Sequence, residues 1–120
     1  MVDLADIRAA TERLPRSYEV LVRDSIKFRV GQIVYLAVAP DELSMGIGFP
    51  REERDAAIAA EPDKFFRPLP SDERFRWIRV HLDAIDQREL RELVLEAWRM
   101  CVPKKVAAGH LDSEQPPPQG

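Results

Sequence analysis

The sequence predicts a single α/β domain closed by an amphipathic C-terminal helix, and three observations carry that expectation. Between residues 18 and 49 apolar residues recur mainly at every second position, the period of a half-buried strand. Before and after that region they recur at intervals of three and four, the period of a helix facing a core. The composition, 45% hydrophobic and 32% charged over 120 residues, is that of a globular chain sized for one core.

Asp3 stands where it can cap a first helix, whose positions Leu4, Ile7, Thr11 and Leu14 keep helical spacing. Pro15 ends that helix, because proline cannot continue the hydrogen-bond ladder. From Tyr18 the period falls to two: Tyr18, Val20 and Val22 belong to one strand, and Ile26, Phe28 and Val30 to a second. Gly31-Gln32 then forms a two-residue hairpin loop, with glycine where a type II′ turn needs positive φ. Ile33–Val38 is apolar on both faces and suits a central strand. After turn chemistry at Ala39-Pro40-Asp41-Glu42, Leu43, Met45, Ile47 and Phe49 line one face of a fourth strand. Ser44, Gly46 and Gly48 make its other face so small that something large must pack there, or the face is exposed.

Pro50 suits the first turn of a helix running from Arg51 to Ala60, and Pro62 stops it. Phe65 and Phe66 tuck the next stretch onto the core, and residues 67–74 read as a polar surface loop. The segment from Phe75 to Leu82 alternates, with Ile78, Val80 and Leu82 on one face and Trp77, Arg79 and His81 on the other. Asp86 and Glu89 then stand in the relation of a capping box, opening the last helix. Leu90, Leu93, Val94, Ala97, Trp98 and Cys101 form its continuous apolar stripe. Burying each large side chain of that stripe is worth roughly 1.5–3 kcal/mol, so the helix is integral to the core. The domain is expected to occupy residues 1–106. Residues 107–120, ending in Pro116-Pro117-Pro118-Gln119-Gly120, are expected to form a disordered Pro-rich tail.

The formal charge of −3 argues against strong unspecific attraction to nucleic acid or to an anionic membrane. No apolar run reaches the roughly 20 residues that span a bilayer, and the N-terminal stretch has the pattern of neither a signal nor a transit peptide. A cytoplasmic location is the expectation. The single cysteine, Cys101, lies on the apolar stripe and reads as core, with no partner for a disulfide or a zinc site. His81 and His110 form no ligand pair, so no metal and no cofactor is expected. Gly46-Ile47-Gly48 lacks the third glycine of a dinucleotide fingerprint and reads as close packing. Asp41, Asp83 and Asp86 occupy turns and caps, and no serine has a nucleophile-elbow context, so no catalytic constellation is expected.

The distribution of charge is more informative than its sum. Residues 16–38 carry Arg16, Arg23, Lys27 and Arg29 against Glu19 and Asp24, and residues 64–82 carry five cations against Asp72 and Glu73. If the two strands bearing Lys27 and Arg29, and Trp77, Arg79 and His81, expose one sheet face, they form a cationic surface with an aromatic platform. The alternative is that these charges only solvate an open sheet face while Trp77 packs beneath a helix or loop.

Several stretches together resemble the MmcQ/YjbR family of small bacterial proteins. They are Phe28-Arg29-Val30-Gly31, Ile33 to Val38, Pro50 with Glu52-Glu53-Arg54, Glu61-Pro62-Asp63-Lys64-Phe65-Phe66, Trp77-Ile78-Arg79-Val80-His81-Leu82-Asp83, Glu89-Leu90-Arg91-Glu92-Leu93, and Ala97-Trp98-Arg99 before Val102-Pro103-Lys104-Lys105. The resemblance covers residues 4–106 in consistent order. It implies an α+β fold, a two-layer α/β sandwich whose antiparallel sheet has its helices packed on one face, in the approximate order α-β(3)-α-β(2)-α. That order has one strand fewer before the middle helix than the residues themselves suggest. The family pattern also often has lysine where Gly46 and Gly48 stand here. Family members are often described as DNA-binding through a double-wing arrangement of hairpins, an inference from fold.

The expectation for function is therefore a non-enzymatic binding module, with weak binding of duplex DNA through Lys27, Arg29, Arg76, Trp77, Arg79, Lys104 and Lys105 as its most concrete form. A protein partner held by a chaperone-like module is the alternative, and a small anionic metabolite comes third. A monomer is the favoured state.

Overall fold

The computed structural model describes residues 1–114, with side chains described through His110. Its elements are α1 (Leu4–Thr11), β1 (Ser17–Val22), β2 (Ser25–Val30), β3 (Ile33–Val38), β4 (Ser44–Gly48), α2 (Arg51–Ala60), β5 (Phe65–Phe66), β6 (Trp77–His81), α3 (Gln87–Arg99) and α4 (Lys104–Glu114). Short 3-10 turns occupy Pro70–Asp72 and Leu82–Ala84. The class is α+β, as the resemblance implies. Four strands rather than three precede the middle helix, because residues 17–30 do split in two. Arg23 and Asp24 are both left-handed, at φ 49° and 65°, and close a two-residue turn between the paired Val22 and Ser25. The second hairpin turns at Gly31, φ +59°, as its sequence requires.

The six strands form one antiparallel sheet in the order β1-β2-β3-β4-β6-β5. Phe28, Leu36, Ile47 and Ile78 stand opposite one another in successive strands, and all are buried. They define the core face, which the helices cover: α3 packs on β3 and β4, α1 on α3, and α2 along β5 and β6. The register between β2 and β3 shifts between Phe28 and Arg29, so that Tyr35 is the extra residue of a bulge. The bulge lets Tyr35 and its neighbour Leu36 both be buried, which strict alternation forbids. The Tyr35 hydroxyl shares a 2.5 Å hydrogen bond with Ser17.

The stripe of α3 is buried at Leu90, Val94, Ala97 and Trp98, and Asp86 caps the helix by accepting from the Glu89 amide at 2.8 Å. Trp98 is fully enclosed, and its indole N–H donates to the Pro15 carbonyl at 2.8 Å. That bond ties α3 to the end of α1, whose own start is a reciprocal capping box between Asp3 and Asp6.

Two expectations need correction. Leu43, expected to share a strand face with Met45 and Ile47, lies just before β4 and is 68% exposed at the mouth of the β3–β4 turn. Residues 107–114, expected to be disordered, form the rest of α4; residues 115–120 lie outside the described residues. Pro103 starts this helix instead of ending the fold, because a proline before the first turn forfeits no ladder bond while its carbonyl accepts from Val106 and Ala107. Ala107 and His110 are buried, and the His110 ring meets Trp98 edge-on at 5.1 Å.

Candidate functional site

The sheet's other face is built by one cross-strand row. Lys27 stands opposite Ala37, Ala37 opposite Gly46, Gly46 opposite Arg79, and Arg79 opposite Phe66. Two cations are thus separated by two of the smallest side chains, across three strand spacings or about 14 Å. The result is a trough with a shallow floor and charged walls. Trp77 lies across that floor. A Cβ placed on Gly46 would be 2.4 Å from its Nε1 and 2.7 Å from Cε2 and Cζ2, so the indole rests directly on the glycine. This is the large group that the small-residue face of β4 required.

A cavity of about 770 Å³ opens over this face. Lys27, Arg76, Trp77 and Arg79 line it, and Asp72 is its acidic residue, so positive charge prevails. Pairing between β3 and β4 stops at Leu36 and Ile47, and Ala97 of α3 with Met100 and Cys101 just after it contribute to the cavity. Exposed Ile33, Leu69 and Phe75 give it an apolar rim. Burial pushes the Cys101 thiol upward in pKa, with the charge of Arg76 opposing, so the thiol is a weak nucleophile.

The cations differ in what they have free. The side chains of Lys27 and Arg76 make no hydrogen bond or ion pair among the described residues, and neither does the Trp77 indole N–H. Arg79 gives its Nε to the Arg67 carbonyl at 2.7 Å and lies 4.3 Å from the Phe66 ring centre. Phe66 stacks in turn on His81, 4.2 Å between ring centres. Phe66 thus belongs to this edge of the open face through a two-residue strand, where the sequence suggests only a loop.

The structure gathers part of the expected set. Lys27, Arg76, Trp77 and Arg79 converge on one cavity. Arg29 lies on the same face, two pairs nearer the hairpin; it does not line the cavity, and its Nε is buried without a partner among the described residues. Lys104 and Lys105 open α4, exposed, and line no part of the cavity either.

Sequence reading misses Arg54, which holds the site's wall. This α2 residue is buried and donates to the carbonyls of Glu73, Phe75 and Trp77 at 3.0, 3.2 and 3.1 Å, pinning the segment that carries Arg76 and Trp77. The available signal is its spacing to Ala57 and Ile58, i+3 and i+4, which puts an arginine on the helix's inward face. Among the described residues no group of His, Cys, Asp and Glu could hold a metal ion, and no helix is long and apolar enough to cross a membrane.

No curated protein matches the chain. Among solved structures it is similar to the crystal structure of the Deinococcus radiodurans protein DR2400, which carries a DUF419 domain. The two share 20% sequence identity at a TM-score of 0.75, over 92% of this chain and 88% of that one, a likeness of fold. The YjbR family model matches residues 8–100, the span that contains the sheet, α2, α3 and all four residues converging on the cavity. By that match the chain belongs to the YjbR family.

Proposed function

We propose that this chain is a non-enzymatic binding module whose open-face cavity takes an unpaired nucleotide of a nucleic-acid strand, with DNA as the form to test first. The base lies against Trp77, and the phosphate is held by Lys27, Arg76 and the outer N–H groups of Arg79. The observation that carries this reading is the convergence of three cations and an indole on one concavity. Its volume falls in the roughly 300–1,000 Å³ range of ligand sites. An aromatic floor favours a splayed base over a paired one, because only an unstacked base offers its face. The net charge of −3 keeps binding weak and confined to this face. A cytoplasmic location accompanies the proposal.

Fluorescence anisotropy at about 50 mM salt tests it, with labelled single-stranded and duplex oligonucleotides. The single strand binds more tightly, and Trp77→Ala weakens it by about 5- to 160-fold, the equivalent of one stacked base. No complex with either form would sink the proposal. The apolar rim of Ile33, Leu69 and Phe75 favours a protein partner as the second reading. A protein that copurifies in stoichiometric amount, is insensitive to nuclease and is lost in Phe75→Ala would replace the nucleic-acid reading with that one.

A further inference from the structure

A second depression, of about 710 Å³, adjoins the cavity and shares Phe75 and Arg76 with it. Arg51, Arg54 and Arg74 line it, together with Glu52 and Asp55. Its charges are unevenly matched. Asp55 is held by Arg67 at 2.8 Å, which leaves Glu52 as the unpaired carboxylate there. Arg51 and Arg76 pair with nothing among the described residues, and Arg74 only lies over the Phe75 ring at 4.8 Å.

Arg54 is the unusual member, 8% exposed. A buried charge is ordinarily neutralised by an opposite one. Here the three hydrogen bonds go to carbonyls, and the Nε finds no acceptor among the described residues. Carbonyl dipoles solvate a guanidinium but do not cancel its charge, and burial weakens the screening around it. The side of this depression formed by Arg54 is therefore positive whatever the exposed side chains do. The first turn of α2 adds nothing to it, since Glu52 and Glu53 there offset the positive end of the helix dipole, so the positive character rests on the arginines.

We infer that this depression is a second phosphate site, so that the ligand is a strand of at least two consecutive nucleotides running past Phe75. The inference rests on the proposed function of the cavity and adds the direction and minimum length of its ligand. Arg51 and Arg74 hold the neighbouring phosphate, with Arg54 as a fixed positive charge behind them and Arg76 shared between the two sites.

The test compares a mononucleotide with a single-stranded oligonucleotide of about eight residues, on the wild-type chain and on Arg51→Ala/Arg74→Ala. Both substituted side chains are exposed, so the fold is retained, and a melting curve checks it. Two neutralised phosphates give a salt slope of about −1.4, and one gives about −0.7. Between 50 and 200 mM salt the wild-type chain then loses about 7-fold in oligonucleotide affinity, and the double variant about 2.6-fold. Mononucleotide affinity is the same in both chains. An unchanged oligonucleotide slope in the double variant overturns the second site while leaving the cavity reading intact. So does an oligonucleotide that binds no more tightly than the mononucleotide. If neither ligand binds the wild-type chain, the cavity reading fails and this inference fails with it.

Discussion

Gly46→Ala is the sharpest perturbation of the cavity floor. The added methyl would sit 2.4 Å from Trp77 Nε1 and 2.7 Å from two ring carbons, against the 3.4–4 Å of ordinary contact, so the indole must move by about 1 Å or more. Overpacking of that kind costs roughly 1–3 kcal/mol. Replacing a strand glycine returns roughly 0.5–1 kcal/mol by restricting the unfolded chain. The net expectation is a destabilisation of about 0.5–2 kcal/mol, because one side of Trp77 faces the cavity and can yield. Guanidinium denaturation of the wild-type chain, Gly46→Ala, Trp77→Ala and the double variant closes a thermodynamic cycle. In the Trp77→Ala background the Gly46 substitution becomes neutral or stabilising, which gives a coupling of about 1–3 kcal/mol. An equal cost in both backgrounds would refute the contact, and with it the aromatic floor on which the binding proposal depends.

Three further outcomes follow from the fold. Asp24→Gly raises stability by about 1 kcal/mol, because a left-handed φ of 65° penalises any residue with a Cβ; an unchanged denaturation midpoint would place the turn elsewhere. Burial pushes the Tyr35 phenol up to about 12, against its bond to Ser17, from an ordinary value of 10.0. The folded pKa is the higher, so this stabilisation is complete below pH 10 and is lost as pH rises from 10 towards 12. Its size is roughly 2–3 kcal/mol, and Tyr35→Phe removes that alkaline slope in a pH series of unfolding curves. Ending the chain at Val106 uncovers Trp98 where Ala107 and His110 now lie, costing about 1–3 kcal/mol; a truncated chain as stable as the full one would restore the tail reading.

The legible parts of the fold are those where one local rule acts alone. Gly31 marks its turn because positive φ selects glycine, and the alternation of residues 75–82 assigns Trp77 and Arg79 to one face without any tertiary knowledge. Gly46 and Gly48 announce a close approach, although only the packing of the Trp77 indole, which starts opposite Gly48 and lies over Gly46, says what fills it. The turn at Arg23 and Asp24 has no glycine or asparagine to signal it, and shows itself only through the break in alternation. α4 is hidden because a proline after an amphipathic helix reads as a stop, whereas packing against Trp98 decides that a new helix begins. Lys27 and Arg29 share a face by spacing, yet only Lys27 lines the cavity, and no pattern in the sequence makes that distinction. Arg54 is the least legible residue of all, since its partners are backbone carbonyls nineteen or more positions away.

The central claim is that the open face of the sheet at Trp77 is the binding surface. An amide and indole NMR titration with a single-stranded oligonucleotide at low salt tests it most directly. The two tryptophan side chains serve as internal reporters, Trp77 on the cavity floor and Trp98 fully enclosed behind the sheet. The account predicts shifts at Lys27, Gly46, Arg76, Trp77 and Arg79, with the Trp77 indole N–H moving and that of Trp98 still. Shifts that cluster on another surface, or a Trp77 indole that does not respond while the oligonucleotide binds, would contradict it.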